Sequence, residues 1–140
     1  MSKLLIAVVL AGLVISVGCK KEKEDGTPPE TSETSISLEQ DLMPVFSRSC
    51  GACHQREGGN EKAIVNGVFY ETKADILEKV GQYIIPGKPK DSGLFKVCSQ
   101  SVPVGESLIV MPPPKSNVPK WSTEELDRFS QWITAGALDN

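Results

Sequence analysis

The chain has 140 residues, of which 39% are hydrophobic and 24% are charged, and its formal net charge at pH 7 is −3. This length favours one small domain. No basic stripe stands out in this mildly acidic sequence, so we expect no nucleic-acid partner.

The first 18 residues have the organisation of a secretion signal. Lys3 supplies a positive charge, residues 4–17 form an apolar run, and Gly18 is a small residue at the expected cleavage position. The apolar run is short for a transmembrane helix. We therefore predict a signal peptide over residues 1–18.

Cys19 follows the signal directly and resembles the lipid-modified cysteine of a bacterial lipoprotein, although Ser16 occupies a position where Leu is usual. Residues 19–36 are then a lipidated cysteine and a flexible polar tether. Lys20, rather than Asp, after the cysteine favours the outer membrane over the inner one. The alternatives are an ordinary cleaved signal or an uncleaved anchor with an unmodified Cys19.

Residues 37–140 are predicted to form the folded domain, which begins with a helix. Ser37 and Gln40 form a capping box ahead of an apolar face. Pro44 lies within this helix and predicts a kink, or a restart near Met43.

The helix leads into Cys50-Gly51-Ala52-Cys53-His54, the C-x-x-C-H pattern of covalent c-type haem attachment. Two thiols add across the two vinyl groups of one porphyrin, and the adjacent histidine becomes the proximal iron ligand. His54 is the single histidine of the chain. The motif therefore predicts one covalent haem c, held by Cys50, Cys53 and His54.

Three other interpretations of this motif stay open. Cys50 and Cys53 could be a thioredoxin-like redox pair, although the alternating β/α context of that fold is not seen. They could join His54 and Cys98 in a zinc site if all four side chains converged. They could also form a plain disulfide. Cys98 itself is expected to be a small buried residue, or else the origin of an intermolecular disulfide.

The segment after the motif contains signals for a hairpin and a helix. Residues 64–70, with Asn66-Gly67 at their centre, indicate a small β-hairpin. Thr72 and Asp75 resemble an N-cap, and Gly81 is expected to stop the helix that follows.

The C-terminal half contains two more predicted helices. Asp91 or Ser92 can cap a short third helix. Ser122 and Glu125 form a capping box for the last helix, which Gly136 ends. Its apolar residues Leu126, Phe129 and Ile133 recur at helical spacing, with Trp132 beside Ile133. Phe129 and Trp132 are expected to be core residues; the alternative is an electron conduit. We therefore predict an all-α fold.

The sixth iron ligand cannot be a second histidine, because none exists. Met43 lies on the first helix and is expected to pack as core. Met111 precedes Pro112-Pro113-Pro114, and three prolines stiffen a loop enough to present a weak thioether ligand. Met111 is therefore the candidate ligand; the alternative is that it lies in a proline-rich surface turn.

Residues 42–137 resemble the small cytochrome c domains of planctomycete-type c cytochromes and of bacterial outer-membrane and periplasmic lipoproteins. The resemblance is carried in order by residues 43–46, 50–54, 85–95, 111–113 and 121–137. It implies a class I cytochrome c fold, in which the first and last helices cross and loops wrap one haem. It also implies that His54 and Met111 are the axial ligands, and that residues 86–92 line the haem pocket.

The motif and the resemblance predict a monohaem c-type cytochrome that carries single electrons in a periplasmic or respiratory chain. The expected partners are redox proteins and the membrane, the latter reached through the lipid anchor. No small-molecule substrate or catalytic residue is evident, so we do not expect an independent enzyme. Two alternatives are a haem-based gas or redox sensor with a displaceable sixth ligand, and a haem subunit of an associated oxidoreductase.

Overall fold

Five helices and one two-stranded hairpin make up residues 35–140, the part of the chain that this computed structural model describes. The predicted signal peptide, Cys19 and most of the predicted tether lie outside the described residues. Within them, no helix has the length and apolar composition needed to span a membrane.

The first helix, α1, covers residues 38–51 as three consecutive segments. The π-helical turns Leu38–Leu42 and Ser47–Gly51 flank the α-helical segment Met43–Phe46. Pro44 lies in the first turn of the central segment, where its missing N–H costs least. The helix changes type at Met43, the position near which the sequence predicts a kink or a restart, and it continues there without a break.

The cap of α1 differs in one partner from the prediction. The Ser37 hydroxyl accepts the Gln40 backbone N–H at 3.2 Å, as expected. The carboxylate that accepts the Ser37 N–H in return belongs to Asp41, at 2.8 Å. Gln40 was therefore the wrong reciprocal partner, because the nearby charged acceptor makes the stronger bond.

The remaining elements are short, apart from the last helix. They are α2 (Glu61–Val65), α3 (Lys73–Glu78), a 3₁₀ turn (Pro89–Asp91), α4 (Gly93–Ser99), β1 (Val102–Val104), β2 (Ser107–Ile109) and α5 (Thr123–Thr134).

The two predicted caps of α3 and α5 are confirmed as complete capping boxes. Thr72 with Asp75 begins α3, and Ser122 with Glu125 begins α5. Ser92 is the N-cap residue of α4, but its hydroxyl makes no capping bond there. It instead accepts the Ile85 N–H at 2.8 Å and donates to the Lys88 carbonyl at 2.9 Å.

The hairpin predicted over residues 64–70 is wrong. Residues 64 and 65 belong to α2, and Asn66 is the C-cap of that helix. Gly67 has the left-handed backbone conformation (φ 64°) that commonly ends a helix. The hairpin forms instead between β1 and β2, where Val102 lies opposite Ile109 in antiparallel register. The Asn-Gly pair acts here as a helix stop, which is its other common use.

The core lies where α1 meets α5. Phe46 is fully buried, and its ring meets the Phe129 ring edge-to-face with centroids 5.4 Å apart. Phe129 and Trp132 are at most 1% exposed, which confirms them as core residues. The predicted core position of Met43 is also confirmed. The first and last helices are thus packed against each other.

The position of Phe46 predicts a large stability effect. Phe46→Ala should lower the free energy of unfolding by about 3–5 kcal/mol, because the cavity left in the core cannot close fully. Urea denaturation followed by circular dichroism measures this loss. Val65→Ala, at a side chain that is 77% exposed, is the control and should change stability by less than about 0.5 kcal/mol. Equal effects of the two changes would contradict the described core.

The Arg48–Glu125 pair between α1 and α5 predicts a dependence on pH. Hydrogen bonds from the Arg48 guanidinium lower the pKa of Glu125 from 4.5 to about 2. Since the folded carboxyl group binds a proton less readily than the unfolded one, the pair stabilises fully above about pH 4.5 and loses its effect towards pH 2. Glu125→Gln should therefore reduce the stability lost over that interval in a urea titration. Glu124→Gln, at a carboxylate that is 80% exposed, is the control, and identical acid profiles for wild type and Glu125→Gln would contradict the assignment.

Candidate functional site

The motif cysteines and histidine lie at the C-terminal end of α1 and just after it. The Cys50 carbonyl accepts two backbone N–H groups, from Cys53 at 3.1 Å and from His54 at 2.9 Å. This turn continues directly from the helix, so the packing of α1 also fixes the motif.

One cavity, of about 190 Å³, brings together all four residues predicted to hold the haem. Cys50, Cys53 and His54 line it together with Met111, which arrives from a distant part of the chain. The other lining residues are mostly apolar: Ser49, Val68, Tyr70, Leu94, Val97, Cys98, Ile109, Pro112 and Pro113. The site therefore combines two thiols, an imidazole and a thioether in an apolar enclosure.

The His54 ring is held by a backbone group. Its Nδ1 lies 3.0 Å from the Val68 carbonyl oxygen, which can only accept a hydrogen bond. In the neutral ring, Nδ1 therefore carries the hydrogen and Nε2 keeps its lone pair. Histidines that bind metals characteristically have this second hydrogen bond. The ring is thus prepared to bind a metal through Nε2.

Met111 is anchored through its backbone to the cavity wall. Its N–H donates to the Val97 carbonyl of α4 at 2.7 Å. Strand β2 ends two residues before it, and the buried Pro112 follows it. Ordered backbone on both sides limits the freedom of the thioether, which is what a weakly binding ligand requires.

The cavity includes a wall that sequence reasoning missed. Leu94, Val97 and Cys98 reach it from α4, and Ile109 reaches it from β2. The family resemblance placed residues 86–92 in the pocket, but none of them lines this cavity. The Ser92 hydroxyl is instead hydrogen-bonded to the backbone of Ile85 and Lys88, within the same segment.

Cys98 is a buried thiol of α4, as predicted, with 7% of its surface exposed. Burial raises the pKa of this thiol well above its ordinary value. An enclosed and protonated thiol is poorly suited to an intermolecular disulfide. Cys98 lines the same cavity as the motif, a proximity that the sequence analysis considered only for a zinc site.

Three features of the structure concern the redox-pair, disulfide and zinc-site interpretations of the motif. Burial raises the pKa of the Cys50 thiol to about 12, although the adjacent Trp121 indole acts in the opposite direction. A dithiol redox pair needs a thiolate at neutral pH, which this burial disfavours. Cys50 and Cys53 are free thiols rather than a disulfide. Within residues 35–140, no three His, Cys, Asp or Glu side chains are grouped as a metal site would require.

Trp121 adds a second feature beside Cys50. Its indole Nε1 is a buried donor with no hydrogen-bond partner of acceptable geometry among the described residues. The ring packs on Phe46 with centroids 5.1 Å apart. The site thus contains an unused polar group next to the first motif cysteine.

Comparisons of the chain with protein-family models, curated proteins and solved structures found no match. The proposal that follows therefore depends on the residues and on their geometry.

Proposed function

We propose that the chain is a monohaem c-type cytochrome that carries single electrons, with a class I-like arrangement of its helices. The observation that carries this proposal is the shared cavity of Cys50, Cys53, His54 and Met111. These residues are the complete set needed to attach and ligate one haem c. When bound, the haem supplies the one-electron iron couple.

The described residues fit such a group. Cys50 and Cys53 offer two thiols for the two vinyl groups, and His54 offers the lone pair of Nε2. Met111 contributes a thioether from an anchored loop. The mostly apolar lining would lower the local dielectric constant around a haem, which is one of the ways in which a protein sets its potential.

The class I-like arrangement is supported by the contact between α1 and α5. The motif follows directly from α1, and α5 packs on α1 through Phe46 and Phe129. The Met111 loop and the short helix α4 supply the rest of the enclosure.

The proposed location is the bacterial periplasm, with anchoring through a lipid on Cys19 and the outer membrane favoured. Thioether formation is completed on the outer side of the bacterial inner membrane, so a signal over residues 1–18 agrees with haem attachment. The proposed partners are redox proteins, and we propose a carrier rather than an enzyme.

The attachment chemistry predicts which cysteines matter. When the full chain is produced with haem-attachment machinery, Cys50→Ser/Cys53→Ser should lose all covalent haem, because no vinyl group can be bonded. Haem-dependent peroxidase staining after denaturing electrophoresis measures this. Cys98→Ser is the control and should keep one haem per chain. A wild-type band without stain, or equal staining of wild type and the double variant, would contradict the proposal.

The anchored Met111 predicts a closed sixth position. The reduced wild-type protein should not bind carbon monoxide, whereas Met111→Ala should bind it, since the thioether is lost. Optical titration with the gas measures both. Met43→Leu changes a buried methionine of α1 and should behave as wild type.

Gas binding also separates the proposal from the sensor alternative. Equal binding by wild type and Met111→Ala would exclude Met111 as the ligand and favour a sensor with an open site. Co-purification of the wild-type protein with a larger oxidoreductase would favour the subunit alternative.

A further inference from the structure

Two arginines flank the haem motif symmetrically in the sequence. Arg48 lies two residues before Cys50, and Arg56 lies two residues after His54. Each binds a carboxylate through both terminal nitrogens, and Arg56 also donates to the Glu71 carboxylate at 2.7 Å. Arg48 donates to Glu125 over two distances of 2.9 Å, and Arg56 donates to Asp75 over 2.7 and 3.2 Å.

Both carboxylates are also capping-box residues. Glu125 caps the N-terminus of α5, and Asp75 caps the N-terminus of α3. Each arginine therefore ties one side of the motif to the start of a helix. Bidentate pairs of this kind fix geometry as well as adding stability.

The Arg56 pair also leads to the segment that holds the histidine. Asp75 accepts the backbone N–H groups of Glu71 at 3.1 Å and of Thr72 at 2.9 Å. The Arg56 guanidinium lies over the Phe69 ring, 4.6 Å from its centroid. Contacts with Arg56 and Asp75 thus fix the position of residues 69–72.

The other end of the same segment is bonded to His54 itself. The Tyr70 N–H donates to the His54 carbonyl at 3.0 Å, and the Val68 carbonyl faces His54 Nδ1 at 3.0 Å. The Val68 N–H donates to the Ala63 carbonyl of α2 at 2.9 Å, so α2 holds Val68 on one side. On the other side, the position of the Val68 oxygen depends on a segment fixed between the motif and the Arg56–Asp75 pair.

We infer that Arg56, acting with Asp75, is a positioning residue for the axial histidine: it holds residues 68–72 so that the Val68 carbonyl keeps its hydrogen bond to His54. This inference rests on the proposed haem site. A firm bond at Nδ1 makes the imidazole a stronger donor to iron. A stronger donor stabilises the oxidised state and lowers the reduction potential.

Arg48 provides the matched control. It makes the same kind of bond to the same kind of capping residue, but its described contacts are with Glu125 and Ser49, and they do not lead to the Val68 segment. Lysine keeps the positive charge but cannot form the bidentate pair with a carboxylate. Arg56→Lys and Arg48→Lys therefore each remove a bidentate pair with a capping carboxylate, on opposite sides of the motif, without changing the charge. Arg56→Lys also removes the guanidinium bond to Glu71.

The experiment compares these two variants in the matured full chain. Arg56→Lys should raise the reduction potential and make exchange of the His54 Nδ1 proton with solvent several-fold faster, as seen by nuclear magnetic resonance. Arg48→Lys should lower thermal stability but leave both readouts at the wild-type values. Phe69→Leu, which removes the ring under the guanidinium, should move them in the direction of Arg56→Lys by a smaller amount. It provides a second test if Arg56→Lys does not fold.

Equal potentials and equal exchange rates in Arg56→Lys, Phe69→Leu and Arg48→Lys would overturn the positioning role. In that case the Arg56 pair stabilises the fold and does nothing further. A wild-type chain that takes up no haem is a different failure, because it contradicts the proposed function itself.

Discussion

The packing of Phe46 connects the helical core to the candidate site. Its ring is fully buried and contacts three aromatic rings, those of Tyr70, Trp121 and Phe129. Phe129 belongs to α5, Tyr70 lines the cavity, and Trp121 lies beside Cys50. One side chain thus fixes the last helix, the cavity wall and the start of the motif relative to one another. Because the motif follows directly from α1, its geometry depends on this packing.

Backbone hydrogen bonds, more than side-chain hydrogen bonds, position the motif, His54 and Met111 around the cavity. The Cys50 carbonyl shapes the turn of the motif, the Val68 carbonyl holds the His54 ring, and the Val97 carbonyl anchors Met111. Such bonds leave the Nε2 lone pair and the sulfur atoms of Cys50, Cys53 and Met111 available. Backbone bonding of this kind explains how a domain with short helices can place these four side chains around one cavity.

Local features of this chain were predictable from its sequence. The capping boxes at Thr72 and Ser122 depend on residues three positions apart, and the change of helix type at Met43 coincides with a single proline, Pro44. The composition of the motif likewise predicts a covalent haem without a structure. Local patterns of this kind predict the structure correctly because they depend on neighbouring residues more than on tertiary contacts.

Features that depend on distant contacts were not predictable. Asn66-Gly67 suits both a hairpin turn and a helix end, and the preceding α2 decides between them. Strands β1 and β2 have no strong alternating pattern, because both are largely exposed. The cavity wall from α4 and the bonding of Ser92 also depend on tertiary packing. Only the three-dimensional structure reveals that Arg48 and Arg56 each bind a helix cap.

We propose that one covalent haem is held between His54 and Met111, and a crystal structure of the matured full chain would test this. Electron density should continue from the sulfur atoms of Cys50 and Cys53 into one macrocycle, with its iron bound by His54 Nε2 and Met111 Sδ. A disulfide between the two cysteines, a lone metal ion, or a haem iron whose sixth ligand is not Met111 would contradict it.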